Sequence, residues 1–369
     1  MAERFANRTL AVVNGSSSFS GITQSVQPYV PVLNEVGFDV RWYQCTDRGS
    51  DVYHSPNGVV VRGVGLPFES LEMGVNRLWV FPRRLRGISE RLMLITDPTL
   101  AQIARHREER SVVMVHDLLP LTPHADRIDS HWMFRFVLPL LRRVRRVIVP
   151  THSMHLELAQ RGISSNRIRE VPQTHFYGMH PEHTERSLSR IQSERELRAL
   201  YIATDRPFKN IRFYFQLAKA AMAHEQGVNV RFTLLSRLKP STSTLLSKMG
   251  LDNVRIVSQV PSVASLYAAH DVLVYPSLHE GFGRPVIEAM SFGLPVLTNH
   301  IPPFTETIGS SGLLLPARDL DAWLGALLSL IEPGRYGAYS RRSLERATLF
   351  QPEQFNRVAS EAFRDLVDL

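Results

Sequence analysis

The chain has little of what would make it a disulfide-held, membrane-spanning or metal-dependent protein. Its single cysteine, Cys45, among 369 residues excludes an internal disulfide and a multi-cysteine metal site, so the thiol reads as an ordinary semi-buried side chain and redox chemistry is not indicated. No apolar stretch approaches the ~18 residues that suggest a spanning helix, and the apolar run in MAERFANRTLAVVNG is too short for a signal peptide. These absences read as a soluble, cytoplasmic chain. There is no tandem repeat, and the histidines of THSMH, residues 151–155, are not read as belonging to a mixed histidine–carboxylate ligand set. No metal and no other cofactor is therefore expected.

What is present is an alternation of short apolar runs with helical segments. Strands are expected at residues 9–14, 38–43, 59–61, 92–95, 111–115 and 146–150, then at 200–203, 230–235, 254–257 and 271–275. Helical segments are expected at 22–36 and 210–224, and FQPEQFNRVASEAFRDLVDL reads as a terminal helix. Strands alternating with helices imply parallel sheets, and the length suits two domains of roughly 180 residues better than one. The fold class is thus α/β, two Rossmann-like units in tandem: residues 1–185, residues 196–345, and a C-terminal helix in 346–369. The polar stretch 180–196 reads as the linker.

Lys and Arg number 43 against 35 Asp and Glu, a net charge of +8, which fits nucleic acid, an anionic membrane or a small anionic substrate. There is no zinc-finger spacing or RNA-binding signature, so nucleic acid is not the expected partner. Arg83, Arg84 and Arg86 form one basic cluster; Arg142, Arg143, Arg145 and Arg146 form another after the apolar segment HWMFRFVLPLL. Two readings of the second cluster stand: cations that cap a helix or pair with acidic residues, or a face that meets anionic lipid headgroups.

The most informative stretch is DVLVYPSLHEGFGRPVIEAMSFGLPV, residues 271–296. Its first part is a continuous apolar run of strand length stopped by Pro276, as in a strand buried on both faces. Pro285 suits the start of a helix and Gly293 its end, so Glu280 lies just beyond a strand's carboxyl end and Glu288 about one turn into the helix. Ligands of open α/β sheets bind at that edge, and a helix N-terminus attracts anions. Gly281 and Gly283 allow close backbone approach, while the two carboxylates can accept hydrogen bonds from hydroxyl groups. Hydroxyl-rich molecules that carry a diphosphate are nucleotide sugars.

The string E-G-F-G-x-P-x-x-E-A-M-x-x-G-x-P-V in residues 280–296 resembles the signature of retaining, family-4-like glycosyltransferases of the GT-B fold, many of them mannosyltransferases. The resemblance implies two Rossmann-like domains facing across a cleft, with the terminal helix crossing back to the first. It implies that Glu280 contacts the transferred sugar, that Glu288 holds the donor ribose, and that Phe282 and Gly283 belong to the donor site. ATDRPFKN, residues 203–210, is similar to the family's turn in which a lysine and usually an arginine hold the donor diphosphate. Lys209 matches the lysine. Phe208 stands at the usual arginine position, which leaves Arg206 or Arg284 as substitutes.

VVMVHDLLP, residues 112–120, is similar to a motif of the mannosyltransferase-like members. His116 after a strand can bond a sugar hydroxyl or share a proton, and Asp117 either orients it or caps the next turn. The loop from Gly15 to Gly21 resembles the family's first loop, near donor phosphates and acceptor. VPQTHFYG, residues 171–178, departs from the family's Val-Pro-Asn-Gly-Val. The implied activity is transfer of a hexose, GDP-mannose being the favoured donor, to a glycan or glycolipid acceptor, with Lys209 stabilising the leaving diphosphate. The alternatives are a nucleotide-sugar epimerase or hydrolase on the same fold, or a basic nucleic-acid-binding protein.

Overall fold

The computed structural model describes residues 8–15, 21–47, 58–66, 69–122, 128–224 and 229–367. They form two α/β units, one of residues 1–173 with 353–369 and one of residues 174–352. In the first, β1 (Thr9–Asn14), β2 (Asp39–Thr46), β3 (Val59–Arg62), β4 (Leu92–Ile95), β5 (Ser111–Met114), β6 (Arg146–Val149) and β7 (Ile168–Glu170) make a seven-stranded sheet in the order β3-β2-β1-β4-β5-β6-β7. In the second, β8 (Glu196–Ile202), β9 (Asn229–Leu235), β10 (Val254–Val257), β11 (Val272–Tyr275), β12 (Val296–Asn299) and β13 (Leu313–Leu315) make a six-stranded sheet in the order β10-β9-β8-β11-β12-β13. Every pairing is parallel, as the alternation of strands and helices implied.

The expected strands are present with ends shifted by a few residues. β7, β12 and β13 were not expected, because each is short and follows a turn that hides it: IRE carries two charges, and VLTN and LLL follow Gly-Leu-Pro and Ser-Ser-Gly. Cys45 on β2 is fully buried rather than semi-buried, and burial pushes its thiol up to about 12.

The polar stretch read as a linker is instead the helix Glu182–Glu194, in the second unit. Its inner face is made of His183, Thr184, Ser187 and Ile191, so apolar periodicity does not reveal it. Thr184 shares a 2.6 Å hydrogen bond with Ser340, His183 Nε2 donates to the Ala268 carbonyl at 3.2 Å, and Arg190 pairs with the buried carboxylate of Asp271. Small hydroxyls allow close approach of helix Pro333–Ala347, and the hydrogen bonds offset the cost of burying them.

The helix Pro352–Phe363 packs onto the first sheet, with Phe355, Ala359, Ala362 and Phe363 in one core with Leu10, Val12, Leu92, Leu94 and Val112. The Tyr29 and Phe355 rings meet edge to face, 4.9 Å between centroids. Arg146, the first residue of β6, secures the same segment: buried, it donates to Asp365 through both terminal nitrogens at 2.9 and 2.7 Å and to the Ala362 carbonyl. The four-arginine face is therefore not formed. Arg146 is interior, Arg142 donates to the Arg161 carbonyl at 2.7 Å, and Arg143 and Arg145 lie 3.5 and 3.9 Å from Glu108 and Glu109.

Arg146 holds the Asp365 carboxyl below its ordinary range through their hydrogen bonds, and burial opposes this less strongly. Because the folded-state value is depressed, the pair's stabilisation is full above the unfolded Asp value near 4 and is lost as pH falls through the folded value. Asp365→Ala, which leaves a buried guanidinium short of acceptors, is expected to lower stability by about 1–3 kcal/mol. Urea unfolding at neutral pH measures this, and the deficit relative to wild type should shrink in acid.

Candidate functional site

In the second sheet the strand order reverses between β8 and β11, which pair through Ala199↔Val272 and Leu200↔Leu273. Chain connections run away on both sides of such a point, so the two following loops splay and leave a crevice at the strands' carboxyl ends. Those loops carry ATDRPFKN and SLHEGFGR. A web of polar bonds ties them together. Leu278 N donates to the Phe208 carbonyl at 2.7 Å, and Asn210 Nδ2 to the Pro276 carbonyl at 3.2 Å. Asn299, at the end of β12, donates to the carbonyls of Pro276 and Ser277 at 2.7 and 2.9 Å. The Tyr201 hydroxyl donates to the Lys209 carbonyl and lies 3.2 Å from the Ser277 hydroxyl. Asn210 takes a left-handed backbone, φ 55°, that its short polar side chain tolerates.

This web brings Lys209 and Glu280 together. The ammonium lies 2.5 Å from Glu280 Oε1 and 3.3 Å from the Tyr275 hydroxyl, and the two charged side chains are only 13% and 12% exposed. The rings of Phe208 and Tyr275 lie 5.3 and 5.4 Å from the ammonium, within cation–π range. Phe208, at the position where the resemblance leads one to look for arginine, is thus a buried face beneath the lysine. Arg206 is exposed where that turn begins, and among the described residues no hydrogen bond or ion pair joins its side chain to this pair.

Glu288 lies on the helix Arg284–Ser291, whose N-cap is Gly283 with φ 86°. A Cβ there would stand 2.5 Å from the Phe304 ring in a conformation that L-residues rarely adopt, so both backbone and space call for glycine. Gly293 follows the helix with φ 72°, and its N–H donates to the Met290 carbonyl at 2.9 Å, the expected stop. Phe282 is buried with Ile287 and Phe350. Glu288 is almost wholly buried, with Arg284 Nε 3.1 Å from one carboxylate oxygen and the Tyr267 hydroxyl donating to the other at 2.8 Å. Burial raises its pKa above the ordinary carboxylate value, against the lowering pull of Arg284 and Tyr267. Arg284 stacks 5.2 Å over the Phe176 ring. Arg284 therefore belongs with Glu288, and Lys209 with Glu280.

Tyr267, Phe176 and Tyr177 were missed by sequence reasoning. Tyr177 packs against Tyr267 and Phe292, 6.0 and 5.9 Å between centroids. Phe176 and Tyr177 belong to the stretch that departs from the family pattern. That departure was the available signal; Tyr267, inside the short helix Ala264–Ala269, offered none.

In the first unit the order reverses between β1 and β4. Asn14 Nδ2 donates to Thr23 and Gln44 at 3.0 Å, and the Thr96 hydroxyl donates to Asn14 Oδ1 at 2.7 Å. His116, after β5, has Nε2 2.8 Å from the Thr96 carbonyl, so Nε2 carries the proton and Nδ1 remains an acceptor, 3.5 Å from the Ser25 hydroxyl. Burial lowers its basicity more than Thr96, Asp97 and Asp117 restore it, which keeps the ring neutral at physiological pH. Asp117 accepts from Leu119 N at 2.9 Å and caps the turn. The Gly15 carbonyl accepts a bond from the buried Arg77 at 3.2 Å, and Arg77 also pairs with Asp97 at 2.6 Å. Residues 16–20, between Gly15 and Gly21, lie outside the described residues. The histidines of residues 151–155 do have an acidic partner: His152 and His155 both meet Glu170, remote in sequence at the end of β7.

Comparison with known proteins identifies both domains. Residues 19–173 match the Glycosyltransferase Family 4 domain and residues 196–333 the Glycosyl transferases group 1 domain. Residues of this chain are 31% identical to O-antigen chain mannosyltransferase B of Escherichia coli over 45% of each chain, so the match spans about half of that relative. Identity to O-antigen chain mannosyltransferase RfbU of Salmonella typhimurium is 25% over 85% of this chain and 88% of the relative. Among solved structures, the sucrose-phosphate synthase of Thermosynechococcus elongatus superposes with a TM-score of 0.77 at 19% identity, covering 98% of this chain and 99% of that one. Anabaena HepE, solved with UDP and glucose, gives 0.74 at 16% identity, covering 98% and 99%. With its two matched domains in chain order and both sheets parallel, the chain belongs to the family-4-like glycosyltransferases and has the GT-B fold.

Proposed function

We propose that the protein is a retaining hexosyltransferase that moves a sugar from a nucleoside diphosphate donor to a hydroxyl of a glycan or glycolipid. The observation that carries this reading is the Lys209–Glu280 pair, 2.5 Å apart where the second sheet reverses. A leaving diphosphate gains charge in the transition state, and a positioned ammonium in a shielded site stabilises that charge. Glu280 accepts from hydroxyls of the transferred sugar once the diphosphate takes over Lys209. Glu288, oriented by Arg284 and Tyr267, has lone pairs left to accept from the donor ribose. Arg284 beside Glu288, rather than the exposed Arg206, is the better second cation. The neutral His116, whose Nδ1 is an acceptor with only a long 3.5 Å contact to the Ser25 hydroxyl, suits a bond from a sugar hydroxyl.

Mannose, carried by GDP, is the favoured donor because both bacterial O-antigen relatives are named for mannosyl transfer. The role assigned to Lys209 and Glu280 requires no metal ion. Peripheral membrane contact belongs to the same reading but rests on other residues than Arg146. Among the described residues no helix is long and apolar enough to cross a membrane. Trp79, 59% exposed with Arg83 stacked 5.7 Å over its ring, and the exposed Arg86 supply an aromatic and basic patch suited to an anionic interface.

Lys209→Ala is expected to lower turnover at saturating donor by roughly two to three orders of magnitude; near-wild-type turnover would remove the lysine from the mechanism. With a sugar-labelled donor, label should move only when acceptor is supplied. Donor consumed without acceptor would point to the epimerase or hydrolase instead.

Calorimetry with free nucleoside diphosphate separates the carboxylates. Glu288→Ala should weaken binding, whereas Glu280→Ala, which releases Lys209, should keep or tighten it while transfer falls. Equal losses in the two variants would overturn the division of roles.

Trp79→Ala combined with Arg83→Gln should reduce co-sedimentation with anionic liposomes, and high salt should weaken the wild-type interaction too. Wild-type protein that ignores such liposomes at low salt would remove the membrane from the reading.

A further inference from the structure

A group of possible metal ligands stands at the carboxyl edge of the first sheet, on strands other than those that carry Asn14, Thr96 and His116. β6 ends at Val149, and the helix His152–Gln160 starts shortly after it, with Thr151 as its N-cap accepting a 3.4 Å bond from Met154 N. The cap holds the first helical turn, on which His152 and His155 are three positions apart and share a face. β7 pairs with β6 through Val149↔Glu170. That register brings the last residue of β7 level with the chain's entry to the helix, and the Glu170 side chain meets both imidazoles.

The geometry is convergent. Nδ1 of His152 and Nδ1 of His155 lie 2.8 and 2.7 Å from one oxygen of Glu170, and one ligand atom from each residue falls within 4.8 Å of the other two. The two rings are 5.7 Å apart between centroids. Ligand bonds to Zn2+ of about 2.0–2.2 Å need donor atoms somewhat over 3 Å apart, so the Glu170 carboxylate has only to move about half an ångström from each imidazole to admit an ion. Glu170 is 36% exposed and His152 59%, which gives both side chains room to do so, while His155, 18% exposed, is the fixed member.

The donor set selects the ion class. Two imidazole nitrogens and one carboxylate oxygen suit borderline divalent transition metals, whereas Ca2+ and Mg2+ prefer all-oxygen shells and Cu(I) prefers sulfur. Three protein ligands leave a fourth position of a tetrahedral ion for water. We propose that His152, His155 and Glu170 form a Zn2+-class metal site, with two imidazoles and one carboxylate as ligands, that clamps the first turn of helix His152–Gln160 to the end of β7. The site is independent of the donor-site reading, since none of its residues takes part there.

Calorimetric titration of the full chain with Zn2+ alone tests it, set against His155→Ala and Glu170→Gln. With 14 histidines in the sequence, weak background binding is expected in all proteins, so the difference between wild type and variant is the readout. Wild type should show one tighter site per chain. Loss of a direct ligand should weaken that site by at least about a hundredfold, given that outer-shell partners alone account for 10–100-fold. Zn2+ should raise the thermal midpoint of wild type and leave that of the variants nearly unchanged. Co2+ should give visible ligand-field absorption in wild type that both variants lack. If His155→Ala fails to fold, His152→Ala, at the more exposed position, carries the same expectation. Equal stoichiometry and affinity in wild type and a folded variant would overturn the site, as would wild-type binding no tighter than the background.

Discussion

Parallel pairing is the constraint on which the rest of this molecule depends. A parallel neighbour cannot be reached by a tight turn, so each strand must be followed by a crossover, and each sheet must reverse its order somewhere for both faces to be covered. In the second sheet that reversal falls between β8 and β11. The functional loops are consequently distant in sequence but adjacent in space: Lys209 follows β8 and Glu280 follows β11. The same constraint puts His116 after β5 at the corresponding edge of the first sheet, and puts Glu170 level with the turn that carries His152 and His155.

A shielded Lys–Glu pair is a poor source of stability, because taking two charges out of water costs as much as their attraction returns. Its surroundings at Lys209 and Glu280 are accordingly costly to build: Asn299, Asn210 and Tyr201 spend side-chain hydrogen bonds on loop backbone, and the Ser277 hydroxyl meets that of Tyr201. Gly283 adds a left-handed conformation against the Phe304 ring. Residues that serve packing alone could cover the crevice with apolar side chains and dispense with this web. Concentrating polar bonds and special backbone geometry in two adjoining loops is what a preorganised charge-binding site requires.

Legibility in the sequence followed the kind of interaction. Strands that bury both faces, such as LMLI of β4 and VLVY of β11, could be read because their apolar runs are continuous. The Gly283 and Gly293 positions could be read because backbone geometry restricts the residue type. The helix Glu182–Glu194 could not, since it is buried through Thr184, Ser187 and His183 rather than through an apolar stripe. Pairings across long separations were also hidden: nothing near Glu170 marks it as the partner of His152 and His155, and nothing near Tyr267 marks it as the donor to Glu288. Local pattern carries secondary structure, while side-chain partners depend on strand order and register.

The same distinction governs the positive charge. Four arginines between positions 142 and 146 read as a surface feature when counted, yet Arg146 begins a strand, where alternate residues face opposite sides. Its side chain crosses to Asp365 and the Ala362 carbonyl instead of to solvent. Arg142 is used on the Arg161 carbonyl, and Arg77 and Arg190 neutralise the carboxylates of Asp97 and Asp271. Part of the formal +8 is therefore internal structure: guanidinium groups that satisfy loop carbonyls and hold buried carboxylates in place. What remains to act on a partner is set by position, and Lys209, whose close ion pair among the described residues is with Glu280, the carboxylate proposed to turn to the sugar, is the cation proposed to meet the diphosphate.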